Sequence, residues 1–168
     1  MASKINKVID WKTAKIHKSE GCEDIKKALN RYFPGCGTAK YLITKTDIDW
    51  ASQQNYMVPK VICIKADKKN PDFETLYNKA CKRLEEIEKP AEAAYKKGWA
   101  HWSCLTNKEK AIWHEWKGLI GIIPTIKYAQ NNPGVYVGVT WDADPDGVYS
   151  DNITDLETVE DRILYLGS

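Results

Sequence analysis

Apolar positions along this chain follow two rhythms. A three-and-four spacing at Ile25, Ala28, Leu29 and Tyr32 predicts a helix over 22–33, with Pro34-Gly35 as its stop. The rhythm returns at Phe73, Leu76, Tyr77, Ala80, Cys81, Leu84 and Ile87, one face of a helix that starts near Asp72. Pro90 should kink that helix or open a second one at its first turn. Residues 91–97 are helical in composition, and Gly98 is expected to end the segment. Thr106-Asn107-Lys108-Glu109 reads as a capping box. It opens a helix in which Ile112, Trp116, Leu119 and Ile120 share a face, while Gly118 and Gly121 weaken its end.

Between these segments the period falls to two. Residues 6–18 read as a strand of mixed polarity. A second strand covers 39–50, with Tyr41, Ile43 and Ile48 as anchors, and Gln53-Gln54-Asn55 is the turn after it. The strand over 57–66 holds Val61-Ile62-Cys63-Ile64, an apolar run expected to be buried on both faces. Asn131-Asn132-Pro133-Gly134 is a turn, and Val135, Val137, Val139 and Trp141 then alternate as a strand. A last short strand covers 162–166. The order β-α-β-β-α-α-α-β-β predicts an α+β fold, a mostly antiparallel sheet with a few helices packed on it. Among them is a helical hairpin near 91–120. The whole of 1–168 reads as a single α+β domain with a helical insertion at about 72–121.

Composition narrows the class. With 43% hydrophobic residues, seven Trp and nine Tyr, the chain can bury a core that a disordered sequence could not. No run approaches the roughly 18 apolar residues of a membrane span, so no membrane partner is expected. Met1–Lys7 lacks the apolar stretch of a secretory signal. The expectation is therefore cytoplasmic synthesis. The five cysteines form no metal-ligand spacing, and they read as reduced thiols. Cys63 and Cys81 fit apolar runs, and Cys22 and Cys36 could bridge a short helix in an oxidising compartment.

A net charge of +2 hides a split. Residues 1–97 carry 20 Lys and Arg against 13 Asp and Glu, whereas residues 98–168 carry 5 against 10. Nucleic-acid binders are more uniformly basic, which disfavours that partner. The asymmetry fits a polar subunit whose basic surface meets an acidic one on its neighbour, or two solvated faces.

Three motifs offer chemistry. Asp142-Ala143-Asp144-Pro145-Asp146-Gly147 has the alternating carboxylates of a calcium loop, with the Val148 carbonyl at the next ligand position. It resembles the first half of an EF-hand-type loop, which makes Ca2+ the one cofactor suggested. The twelfth position is Ile153, not Glu, and a polar hairpin turn would have the same composition. His17-Lys18-Ser19 and His101-Trp102-Ser103 stand 84 residues apart. Paired H-x-[ST] elements resemble the 2H phosphoesterase family. That resemblance implies a phosphodiesterase in which His17 and His101 act as acid and base while Ser19 and Ser103 hold phosphate oxygens. Ser stands where Thr is usual, and Glu20 where an apolar residue is usual. Phosphate loops, G-x-G-x-x-G, H-E-x-x-H and G-x-S-x-G are absent.

The third motif is AEAAYKKGWAHWSCLTNKEKAIWHEW over 91–116. Trp102, Leu105, Thr106, Glu109, Lys110 and Trp113 stand as in a Trp-containing helical hairpin of bacteriophage-type structural proteins, which the segment resembles. Thr106 and Glu109 cap the helix, and Leu105 packs on its first turn. Trp102 is expected to stack beneath Trp113, and His114 to face solvent. Trp is enriched at interfaces, so Trp99, Trp102, Trp113 and Trp116 are the candidate interface. The resemblance implies a non-enzymatic structural, assembly or protein-binding subunit, a component of a phage virion or another self-assembling particle. Its partner would be a second copy of itself or another protein. The alternatives are the phosphodiesterase and a small inhibitor binding a host factor.

Overall fold

One central strand sets the register of the molecule. The computed structural model describes residues 15–16, 20–43, 56–57, 61–140, 153–155 and 165–167. Strand β4 (Val61–Lys65) lies between β2 (Thr38–Ile43) and β5 (Val137–Thr140), antiparallel to both. Strand β6 (Ile153–Asp155) extends the sheet beyond β5, and β7 (Tyr165–Gly167) beyond β2. The five-strand order is β6-β5-β4-β2-β7, antiparallel throughout. Two short strands, β1 (Lys15–Ile16) and β3 (Tyr56–Met57), pair parallel to each other. The registers place Tyr41, Ile62 and Val139 in one row across the sheet, all buried. Ile62, Cys63 and Ile64 have no exposure on either face of β4, as an apolar run in a central strand requires. Burial pushes the Cys63 thiol up to about 12.

Helix α1 (Glu20–Tyr32) buries Ile25, Ala28 and Leu29 as its spacing predicts. It stops where Gly35 takes φ +76°, a left-handed conformation that favours glycine. Helix α2 (Phe73–Ala100) and α3 (Asn107–Asn131) are joined by a 3-10 turn over Trp102–Cys104. The α+β class and the antiparallel sheet follow the pattern. The helix ends differ from it. Pro90 neither ends nor restarts α2, and Gly98 lies inside it. Helix α3 runs through Gly118, Gly121 and Pro124 to Asn131, ten residues beyond the expected end. Propensity is overridden here by packing. Leu119, Ile122, Ile126 and Ala129 are fully buried in the shared core with Ile25, Leu29, Ile62, Ile64 and Val137. Each such aliphatic side chain contributes about 1.5–3 kcal/mol by burial, more than a helical glycine costs.

Buried polar groups lock the lower end. The Gln130 amide donates to the Cys36 carbonyl at 2.7 Å and the Lys68 carbonyl at 3.2 Å, and its oxygen accepts from the Asn70 N–H at 2.8 Å. One side chain thereby ties the end of α3 to the α1–β2 and β4–α2 connections. Gly134, at φ +88°, donates its N–H to the Ala66 carbonyl at 2.7 Å and turns the chain into β5. All five cysteines are free thiols, with Cys22 and Cys36 both buried. Cys81 is half-buried against the core. The expected strand over 6–18 apart from Lys15–Ile16, residues 44–50, the turn at Gln53-Gln54-Asn55, and Trp141 lie outside the described residues.

Candidate functional site

Helix α3 builds two surfaces. At its N-terminus the Thr106 hydroxyl accepts from the Glu109 N–H at 3.1 Å, and the Glu109 carboxylate accepts from the Thr106 N–H at 3.0 Å. This is the predicted capping box. Lys97 of α2 reaches the same carboxylate at 3.0 Å, so the cap also ties the two helices together. The Thr106 N–H and then Lys97 hold the Glu109 carboxyl below its usual range. Leu105 is buried against α2 at Gly98. A Cβ there would sit 2.9 Å from Leu105 Cδ1 and 3.1 Å from Trp102 Cε3, so a larger residue would make these side chains shift.

The aromatic residues then divide. Trp113 stacks on Tyr95 with centroids 5.0 Å apart and on Trp116 at 5.3 Å. Both Trp113 and Trp116 are half-buried. Trp102 does not stack beneath Trp113 as expected. It stands edge-on to His114, 5.9 Å between centroids, with Lys110 over its ring. Trp102 lies in the 3-10 turn itself, which sets its ring against His114 and not Trp113. Trp99 is 74% exposed and Trp102 39%. His101, Ser103 and Cys104 are exposed beside them. Of the nearby lysines, Lys110 lies over the Trp102 ring, Lys97 pairs with Glu109, Lys96 pairs with Glu92, and Lys108 is exposed.

The second surface is the crossing of α1 and α3. Gly118 faces the α1 backbone, where a Cβ would lie 2.3 Å from the Asp24 carbonyl oxygen and 3.0 Å from Ala28 Cβ. The missing side chain lets the helices touch, and the touch buries Asp24 to 5% exposure. A buried carboxylate needs partners. His114 Nδ1 lies 3.0 Å from Asp24 Oδ2 and Lys117 Nζ 3.8 Å. His114 is therefore drawn inward, not turned to solvent as its helix position suggested. One turn away, Glu115 accepts from Arg83 Nε at 2.8 Å and Nη2 at 3.0 Å, and from the Tyr32 hydroxyl, with Arg31 at 3.8 Å. Burial alone would raise the Glu115 carboxyl, but the bonds from Arg83 and Tyr32 together hold it below the usual range. Burial and then the neighbouring carboxylate push the Tyr32 hydroxyl up.

A cleft of about 290 Å3 opens between these helices. Helix α1 lines it with Asp24, Lys27, Ala28, Arg31 and Tyr32, and α3 with Ala111, His114 and Glu115.

The residues singled out in the sequence fall differently. His101 is the extended, exposed residue that closes α2, and Ser103 lies in the 3-10 turn. His17 and Ser19 lie outside the described residues, as do Asp142, Asp144, Asp146 and Val148. Among the described residues no three His, Cys, Asp or Glu gather as a metal site. No helix among them is long and apolar enough to cross a membrane. Asp24 and Glu115 were not singled out from the sequence. Their signal was available, because each stands at helical spacing within an apolar stripe, Asp24 with Ala28 and Glu115 with Ile112 and Leu119. Comparison with family models, with curated proteins and with solved structures finds no match for this chain.

Proposed function

We propose that this chain is a non-enzymatic assembly subunit that binds a second copy of itself through the tip of the α2–α3 hairpin. The observation that carries the reading is Trp99, a large aromatic residue 74% exposed at the end of a capped, tightly closed hairpin. Rigid aromatic residues ringed by polar groups are the usual anchors of protein interfaces. Trp102 completes the anchor, while Trp113 and Trp116 stack on each other and, through Trp113, on Tyr95 within the hairpin. Charge selects the occupant. Residues 96–110 hold four Lys against one Glu, while residues 141–168 hold eight Asp and Glu against one Arg. The basic aromatic tip of one copy therefore complements the acidic segment of the next, a head-to-tail contact. The resemblance of 91–116 to a phage-type hairpin points to a virion or similar particle as the setting. Calcium held by Asp142, Asp144, Asp146 and the Val148 carbonyl would organise the acidic partner surface.

The test is solution mass by size-exclusion chromatography with light scattering, in calcium and in chelator, for the parent chain and Trp99→Ala/Trp102→Ala. The expected result is an oligomer that dissociates in the double variant and in high salt, and whose affinity changes on chelation. A parent chain that stays monomeric at every concentration overturns self-assembly. Calcium indifference overturns the metal contribution alone.

A further inference from the structure

We infer that the cleft between α1 and α3 binds a small organic phosphate, its phosphoryl group held by Lys27 and Arg31 and its apolar body seated on Ala28, Ala111 and the Tyr32 ring. The site adjoins the hairpin tip through His114, whose ring meets Trp102, but it does not depend on the assembly reading.

Charge argues for an anion. The carboxylates facing the cleft are already matched from within the fold, Asp24 by His114 and Lys117 and Glu115 by Arg83. Lys27 and Arg31 come on top of those cations. They stand at i and i+4 on α1, so both side chains reach the same mouth. Both residues are exposed. Arg31 approaches Glu115 only to 3.8 Å, a distance that leaves its planar fork able to grip phosphate oxygens in two-point fashion. A phosphate monoester carries nearly two negative charges at neutral pH and three acceptor oxygens, which suits a Lys and an Arg side by side.

Shape argues for a body attached to that anion. Ala28 and Ala111 both line the cleft, and their short side chains leave it open. Its volume of about 290 Å3 exceeds what a bare phosphate fills and is near the lower end of ligand pockets. The Tyr32 ring, fixed through its hydroxyl to Glu115, supplies a flat wall, with the Arg31 guanidinium 5.1 Å from its centroid.

The probe is phenyl phosphate, titrated into the full chain and followed by backbone amide shifts. Inorganic phosphate tests the charge alone, and p-cresol the body alone. A ligand of this size is expected to bind with a Kd of about 1 mM, with shifts confined to residues 24–32 and 111–115. Lys27→Ala and Arg31→Ala should each weaken it by about tenfold. Ala111→Leu fills the cleft from an exposed helix position, keeps every charge, and should also weaken binding by about tenfold or more. Each variant is checked for an unchanged amide spectrum elsewhere, so a folding failure is recognised. Shifts scattered over all lysines, equal affinity for inorganic and phenyl phosphate, or an Ala111→Leu chain that binds as the parent does would each overturn the proposal.

Discussion

The two ends of the α2–α3 hairpin use glycine to opposite ends. Gly98 lets Leu105 and the edge of Trp102 close the turn, and Trp99 beside it is exposed to solvent. Gly118 lets α1 settle onto α3, and that contact draws Asp24 and His114 inward. The tip is a display of large exposed side chains on a minimal support. The crossing is a set of buried polar groups with no large side chain between the backbones. The contrast separates residues that hold the fold from residues available to a partner. Substitutions at the crossing should cost stability, and substitutions at the tip should cost binding with the fold intact.

The largest effect is expected at Gly118. A Cβ 2.3 Å from the Asp24 carbonyl oxygen meets backbone, which cannot swing aside as a side-chain end can. Gly118→Ala should therefore lose about 3 kcal/mol despite the better helix propensity of alanine. Urea unfolding measures it. A variant as stable as the parent would mean that α1 and α3 do not touch.

Next is the ion cluster. Glu115→Ala leaves Arg83 and Tyr32 without their acceptor in a half-buried place, at a cost of about 2 kcal/mol. The same group sets a pH dependence. Its carboxyl titrates lower in the folded chain than in the unfolded one. Its contribution is thus complete above the unfolded value, about 4.3, and is lost as pH falls through the lower folded value. The acid limb of stability below about pH 4 should be shallower in Glu115→Gln than in the parent. Identical acid limbs would show that the Arg83–Glu115 pair is not formed in solution. At the tip, Thr106→Ala removes half of the capping box and should cost about 1 kcal/mol, read from the same unfolding curves.

How much of this was legible in the sequence follows the same division. Strands β2, β4 and β5 and the capping box were readable, because apolar period and Thr-x-x-Glu are local signals. The buried face of α1 was equally plain at Ile25, Ala28 and Leu29. The end of α3 was misread because Gly118, Gly121 and Pro124 are weak helix formers by local preference. They persist in the helix because the core contacts of Leu119, Ile122 and Ile126 are made with segments far away in sequence. Gln130 was invisible for the same reason. Its three hydrogen bonds join loops 60 to 94 residues distant, and no spacing rule connects them. His114 and Asp24 stand 90 residues apart. The apolar stripe around Asp24 marks its burial, but no spacing rule pairs it with a histidine so distant in the chain. The acidic loop over 142–147 and His17-Lys18-Ser19 lie outside the described residues.

The smallest stability effect sharpens the comparison most. Trp99 is 74% exposed and sits on the last turn of α2, so its truncation removes little buried surface. Trp99→Ala should shift unfolding free energy by no more than about 0.5 kcal/mol, as for surface substitutions generally. Its effect on association should be large, because an interface concentrates its free energy in a few aromatic anchors. Trp113→Ala gives the opposite pairing, since its ring is stacked between Tyr95 and Trp116. It should destabilise the hairpin first and weaken association only through that loss. Measuring both quantities for both variants separates display from support. If Trp99→Ala destabilised the chain as much as Trp113→Ala, the exposed tip would be a second piece of the core, and the distinction between the two ends of the hairpin would fail.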